Sequence, residues 1–573
     1  MARRRASAGL GAMALLVACA QGPSGRFPLA PAVERDPDLE PTVNGCHKNE
    51  KGKTECGPEA YASSFAWDAA DNTVFRPLAQ FFAVKPGAEA RDVNAMDEVP
   101  DSSWFENRIG KRPMTVTELS HGPCIGGPEL LASDEDLGIL IDQGKDNGAN
   151  PGFRVSVKDK GRFMLKVDTA AEPERATGAT SIASRFYYAA GYHAPCDSVV
   201  YLHPDKLKLK PGLTITDNTG VTKKLDAAKL KSMLTDASRR GDRVRFVASR
   251  WLEGRPVGPY TYAGTKDDDP LDVVPHEDRR ELRGARIIAA WLNHFDSREQ
   301  NSMAVWLGEK DDPRRGIVRH YIIDLGDCFG SRWDWDEITQ RLGHAYYFDN
   351  PLFLEDFGSL GIVERPWDRQ HKGFRDSLFF YFRADDFDVD AWRGGYPNPA
   401  FSRMTEHDGA WLARILAHIE TPHIAEAVRI GDFTDPRQTR YLTDVLAERR
   451  RRILDRYLTR LSPVSEVKVT APHELCMTDL AVSSGVAHQD ALTPTAVLTS
   501  AQHWAPRAMP VRTWPGGRVC VSLPKLGGAP DDADPSRYHV LVVSDGIAKG
   551  ALRIHYYERA SGIQVVGLER PDP

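Results

Sequence analysis

Hydrophobic and polar positions alternate with period two across residues 152–168. Phe153, Val155 and Val157 precede the turn Asp159-Lys160-Gly161, and Phe163, Leu165 and Val167 follow it. A period of two sends successive side chains to opposite faces of a strand, so this stretch predicts a β-hairpin with one buried face. The spacing then becomes helical. Ile182, Phe186 and Ala189/Ala190 predict a helix over 177–190 that Gly191 stops, and Ala285, Ile288, Ala289 and Leu292 predict another over 277–293. Further strands are expected at 198–202, 244–252, 303–307 and 317–323, the last two joined by the turn KDDPRRG. Residues 205–242 read as a Lys-rich surface insertion. From 334 to 461 the pattern is helical and ends in the amphipathic LAERRRRILDRYLTRL, whose Arg449–Arg452 run is expected to face solvent. After Pro463 short β runs such as YHVLVV and ALRIHYYE alternate with Gly and Pro, which predicts a small β domain over 464–573.

The amino terminus follows a different rule. Arg3, Arg4 and Arg5 precede a short apolar run that ends in Leu16-Val17-Ala18-Cys19. A basic start and an apolar stretch too short to span a bilayer describe an export signal. The small residues before Cys19 resemble the lipobox of bacterial lipoproteins. That resemblance implies cleavage after residue 18, acylation of Cys19 and a membrane anchor that does not cross the bilayer. It implies a location in the bacterial cell envelope, on the periplasmic face of the outer membrane. Residues 19–60 are rich in Pro, Gly, Lys and Glu and read as a flexible tether.

Composition narrows the classes. The 573 residues are 41% hydrophobic and 27% charged, as in ordinary globular chains, and the net charge of −6 argues against a general nucleic-acid binder. Export permits disulfides among the cysteines, with Cys46/Cys56 and Cys476/Cys520 as candidate pairs. His121-x-x-Cys124 and His193-x-x-Cys196 have metal-like spacing, but no matching second half accompanies either. The chain has no Gly-x-Ser-x-Gly elbow, no His-Glu-x-x-His and no P-loop. The segment VPDSSWFENRIG, with Trp104 and Arg108, reads as a packed strap.

Phosphoryl transfer needs positioned groups and cations around phosphates rather than covalent chemistry from the protein. Candidates for each part occur in order. Lys166 lies mid-strand in FMLKVD, on the face opposite Leu165 and Val167. Ahead of it Gly144, Gly148 and Gly152 are spaced by four, a glycine-bearing loop suited to phosphates. Asp296 and Asn301 sit five apart in NHFDSREQN, just beyond a buried helix. Asp324 ends the strand of HYIIDLG beside Gly326, where a carboxylate can hold a divalent cation.

Together these resemble an atypical protein-kinase fold over residues 140–460. NHFDSREQN is similar to the catalytic loops of HipA-type and phosphatidylinositol kinases, and Asp324-Leu325-Gly326 is similar to the Asp-Phe-Gly motif. The resemblance implies an α+β, two-lobed protein-kinase-like domain with a small C-terminal β domain. Residues 61–252 would hold an N-terminal extension and the first lobe, and 253–463 a helical second lobe. It implies ATP with Mg2+ or Mn2+ as cofactors, Asp296 as catalytic base, Asn301 and Asp324 as metal ligands, and Lys166, Gly148, Gly152 and Glu253 as nucleotide contacts, with Glu253-Gly254 as the hinge. The reaction implied is ATP-dependent phosphotransfer to a protein, lipid or sugar. A catalytically inactive binding protein of this fold and a nucleotidyltransferase are the alternatives. The resemblance departs at one place: the helix after Lys166 has no acidic residue to pair with it, and only Glu172 and Glu174 lie nearby.

Overall fold

In the computed structural model of the chain, the described residues are 26–49, 52–61, 65–82, 87–144, 152–216, 221–332, 336–500, 506–524 and 537–573. The residues expected to form an export signal, Cys19 and Gly148 lie outside them. Secondary structure is mixed α+β.

The alternation around Lys166 builds the centre of the larger sheet. Its strands are β1 (Ile139–Gly144), β2 (Gly152–Val157) and β3 (Gly161–Lys166), followed by helix α1 (Arg175–Ala190). Then come β4 (Asp197–Leu202), β5 (Leu207–Leu209), the short β6 (Arg239–Arg240) and β7 (Arg243–Arg250). β7 pairs with β4 and β3, β2 joins β3 to β1, and β5 closes the edge in parallel with β1. Phe153, Val155, Phe163 and Leu165 are buried on one face against Leu230 and Leu234. Those two leucines belong to the helix Ala227–Thr235 inside the Lys-rich insertion, so that insertion covers the sheet instead of standing free in solvent. Helix α1 packs against β4 and β7.

Residues 251–254 connect β7 to a second, antiparallel sheet, in which β8 (Arg255–Gly258), β9 (Ser302–Gly308) and β10 (Arg315–Ile322) lie side by side. Between β8 and β9 runs the buried helix α2 (Arg280–Leu292). Its C-cap Asn293 takes a left-handed conformation, φ 50°, which turns the chain into the loop that bears Asp296.

The expectation of a free tether fails for the described part of 26–60. Thr42–Val43 adds to the edge of β10, and Asp38 accepts hydrogen bonds from Ser103 N (3.0 Å) and Oγ (2.7 Å). Polar composition signalled solvation, but here the polar groups are used for docking. Trp104 stacks on His320 at 3.4 Å, and buried Arg108 donates to Tyr188 O and Tyr192 O, so the 99–110 segment is a packed strap as expected.

The helical stretch is less regular than its pattern suggested. Asp336–Arg341 and Asn350–Ser359 are short, turns follow to residue 398, and long helices resume with α3 (Glu406–Leu416), α4 (Thr421–Arg429) and α5 (Pro436–Leu458). Within α5, Arg449 and Arg450 do not face solvent. Arg449 donates to Ala290 O and Trp291 O at the end of α2, and Arg450 to Leu416 O and Ala417 O. Each satisfies carbonyls that a helix end leaves open. From Val464 to Glu569 the chain forms two antiparallel sheets around their own core. Arg570 ties this unit back to Asp97 at 2.6 Å.

Among the described residues three disulfides form: Cys46–Cys56, Cys476–Cys520, and Cys124–Cys196 across 72 residues. The last removes both cysteines of the His-x-x-Cys spacings from metal binding. Among the described residues no helix is long and apolar enough to cross a membrane.

Candidate functional site

Lys166 ends β3 on the face opposite Phe163 and Leu165, because neighbours along a strand point to opposite sides. Gly152 stands directly opposite it on β2, which brings the end of the glycine-bearing loop beside the amine. The ammonium reaches across to the second sheet, where Nζ lies 2.7 Å from Asp324 Oδ1. Burial works against the charged amine, but the Asp324 carboxylate outweighs it and the net shift of Lys166 is upward; Asp197 and Asp327 add to this.

Asp324 follows β10 and adopts φ 56°, ψ 54°, a left-handed conformation that is strained for a residue other than Gly. What holds it there is Arg175, in the first turn of α1 and 1% exposed. Its guanidinium donates to Gly326 O (2.7 Å) and Gly330 O (2.8 Å) and pairs with Glu172 at 2.9 Å. Gly326 presses on α1 closely enough that an added Cβ would lie 3.3 Å from Thr180 Oγ1.

The loop after α2 supplies the other groups. Asn301 Nδ2 donates to Asp296 Oδ2 and to Asp296 O, both at 2.8 Å. With its nitrogen so committed, the amide's Oδ1 is the atom that can accept. Arg298 Nε lies 3.0 Å from Asp296 Oδ1. Ile323 N donates to Asn301 O at 3.0 Å, which fixes Asn301 beside the residue preceding Asp324. Burial pushes the Asp296 carboxyl up to about 7; Arg298 and Asn301 oppose the rise, and Asp327 and Asp324 add to it. Burial likewise holds His294 down to about 4, so its ring is neutral, with Nδ1 2.9 Å from Tyr187 OH.

Lys166, Gly152, Asp296, Asn301 and Asp324 are therefore brought to one region where the two sheets meet. Glu253 is exposed in the connection from β7 to β8, at the junction of the sheets, and Gly148 lies outside the described residues. Neither suggested helix carboxylate pairs with Lys166. Glu172 is taken by Arg175, Ser331 and Arg332, and Glu174 by Thr434 N and Oγ1.

Two acidic residues escaped the sequence reading. Asp327 closes the turn after Asp324; burial raises its carboxyl, Arg175 opposes the rise, and Asp324 adds to it. Asp197 begins β4 and is 2% exposed, and its Oδ1 has no hydrogen-bond partner. Burial pushes it up to about 7, against Ser249, Arg185 and Lys166. No motif marks Asp197; only strand pairing brings it to the site.

Oxygen donors suit a hard divalent cation, and the side chains of Asp324 and Asn301 carry such oxygens. Among the described residues, the groupings Cys124/Glu129/Cys196 and Glu474/Cys476/Cys520 bring ligand atoms within 4.8 Å of one another, but in each the sulfurs are joined in a disulfide. No family model, curated protein or solved structure matches the chain.

Proposed function

We propose that the chain is an ATP- and divalent-cation-dependent phosphotransferase of atypical protein-kinase type, carried on the envelope side of a bacterial membrane. The observation that supports this most is the contact of Lys166 with Asp324 in the same region as the Asp296–Asn301 pair. Mg2+ or Mn2+, held by Asp324 and Asn301, would supply charge neutralisation at the phosphates. Lys166 binds the nucleotide phosphates. Asp296 accepts the proton of an acceptor hydroxyl on a protein, lipid or sugar. Its carboxyl, raised toward neutrality, suits a base that takes a proton at the operating pH. Arg175 keeps the Asp324 turn in place, and Glu253 borders the junction where the adenine would lie. On this reading β1–β7 with α1 form the first lobe, and the chain from Glu253 to Pro463 forms the second.

Three disulfides fit an oxidising compartment, and acylation of Cys19 would anchor the chain there. Loss of labelled fatty acid from Cys19→Ala in cells tests the anchor. For the activity, the purified chain is melted with ATP and Mg2+ or Mn2+. Ligand at 100 times Kd should add about 2.7 kcal/mol of stability. Transfer of the γ-phosphate then identifies a kinase, transfer of the α-phosphate a nucleotidyltransferase, and binding without transfer an inactive relative. Absence of binding under either metal contradicts the proposal.

A further inference from the structure

Resting on the nucleotide-site reading above, one question arises from the geometry. Lys166 is held by Asp324, the same carboxylate that would hold the cation. When Asp324 turns to a metal, the ammonium needs another anion to keep it at the phosphates, and the carboxylates just ahead of α1 are engaged elsewhere.

We propose that Asp197 is the positioning residue that holds the Lys166 ammonium, in place of a carboxylate on helix α1. Register puts the two on one face. Lys166 pairs with Val247 on one side of β7, while Ser249, two residues on, pairs with Asp197 on the other side. Directly paired residues share a face, and so do residues two apart on a strand, so Asp197 and Lys166 project from the same surface across the width of β7. The Asp197 carboxylate is buried and keeps Oδ1 without a partner, although an oxygen left unsatisfied inside a protein is costly. An ammonium drawn in beside it would complete it.

The backbone there is fixed for the purpose. Ser181 and Arg185 of α1 both donate to Asp197 O, and the Cys124–Cys196 disulfide pins the preceding residue. Ser249 hydrogen-bonds the carboxylate, and Arg185, Lys166 and Asp324 are the charged groups that act on it most. Helix α1 therefore still serves the lysine, by holding the strand end that carries the acid.

The test measures Kd for MgATP and for adenosine by calorimetry, on the full exported chain and its variants. Asp197→Asn should weaken MgATP about tenfold and leave adenosine unchanged. Asp197→Glu should recover most of the loss, because the charge is restored. In a Lys166→Met background, Asp197→Asn should cost no further MgATP affinity, since the acid acts through the amine. If Asp197→Asn does not fold, Ser249→Ala, which removes the hydroxyl that orients the carboxylate, should weaken MgATP about threefold and spare adenosine. Wild-type MgATP affinity in Asp197→Asn, or a full additional loss in the Lys166→Met background, overturns the role of Asp197 while leaving the nucleotide site intact. No MgATP binding by the wild-type chain overturns both.

Discussion

Lys166 and Asp324 are 158 residues apart in the chain and 2.7 Å apart in space. The contact joins the larger sheet to the end of β10. A partly buried pair of this kind orients more than it stabilises, because desolvation offsets much of the attraction. The prediction is therefore a split between its partners. Asp324→Ala should abolish metal-dependent nucleotide binding. Asp296→Ala should leave binding within about threefold and lower transfer by roughly 10²–10⁴, the usual worth of a general base. Calorimetry and a γ-label assay on the two variants check this, and full transfer by Asp296→Ala removes the role given to that residue.

Arg175 is the part whose loss should be felt most widely. It is buried, pairs with Glu172 and donates to three carbonyls of the turn after Asp324. Arg175→Leu leaves those groups buried without a partner, so we expect a loss of about 3–5 kcal/mol in denaturant unfolding. Glu174→Gln, whose partner Thr434 is exposed, should cost far less by the same measurement.

Asp197 gives a pH dependence with a definite sign. Its folded carboxyl is raised from 3.8 to about 7 by burial. Between those values the folded chain keeps a proton that the unfolded chain has lost. Its contribution to stability is thus full below 3.8 and fades as pH rises toward about 7. Asp197→Asn lacks this titration. Without metal or nucleotide, the melting temperature of the variant relative to wild type should climb from pH 4 to pH 7 and then level off. A difference that is flat across that window contradicts the assignment.

The disulfides differ in the length of chain they close. Cys124–Cys196 spans 72 residues and Cys46–Cys56 spans 10. Chain entropy then predicts about 4 kcal/mol lost when the first is replaced by paired alanines, against about 3 kcal/mol for the second. Equilibrium unfolding of the two double variants decides the order. The first should also weaken MgATP binding, because it loosens the strand end that carries Asp197.

Local periodicity made much of this legible in the sequence. The hairpin at β2 and β3, the helix α1 and the strands β9 and β10 fall within a few residues of their expected bounds, because each has one buried face and a clear stop. Lys166 could be picked out as a strand lysine on the face opposite Leu165 and Val167, although the strand ends at it instead of running on, and Asp296, Asn301 and Asp324 as polar residues next to buried elements. What required long-range pairing was not legible. Asp197 looks like any strand-leading Asp until β7 is placed between it and Lys166. The docking of 36–43, and the use of Arg449 and Arg450 to satisfy helix ends, were hidden for the same reason: a polar residue does not disclose whether its partner is water or a distant carbonyl.

Whether these residues form one nucleotide site is decided by a crystal structure of the chain with Mn2+ and a non-hydrolysable ATP analogue, using the anomalous signal of the metal. We expect a peak bonded to Asp324 and Asn301 Oδ1, with the phosphates within hydrogen-bond reach of Lys166 Nζ. Metal and nucleotide bound away from these three residues, or no density for either at saturating concentrations, would contradict it.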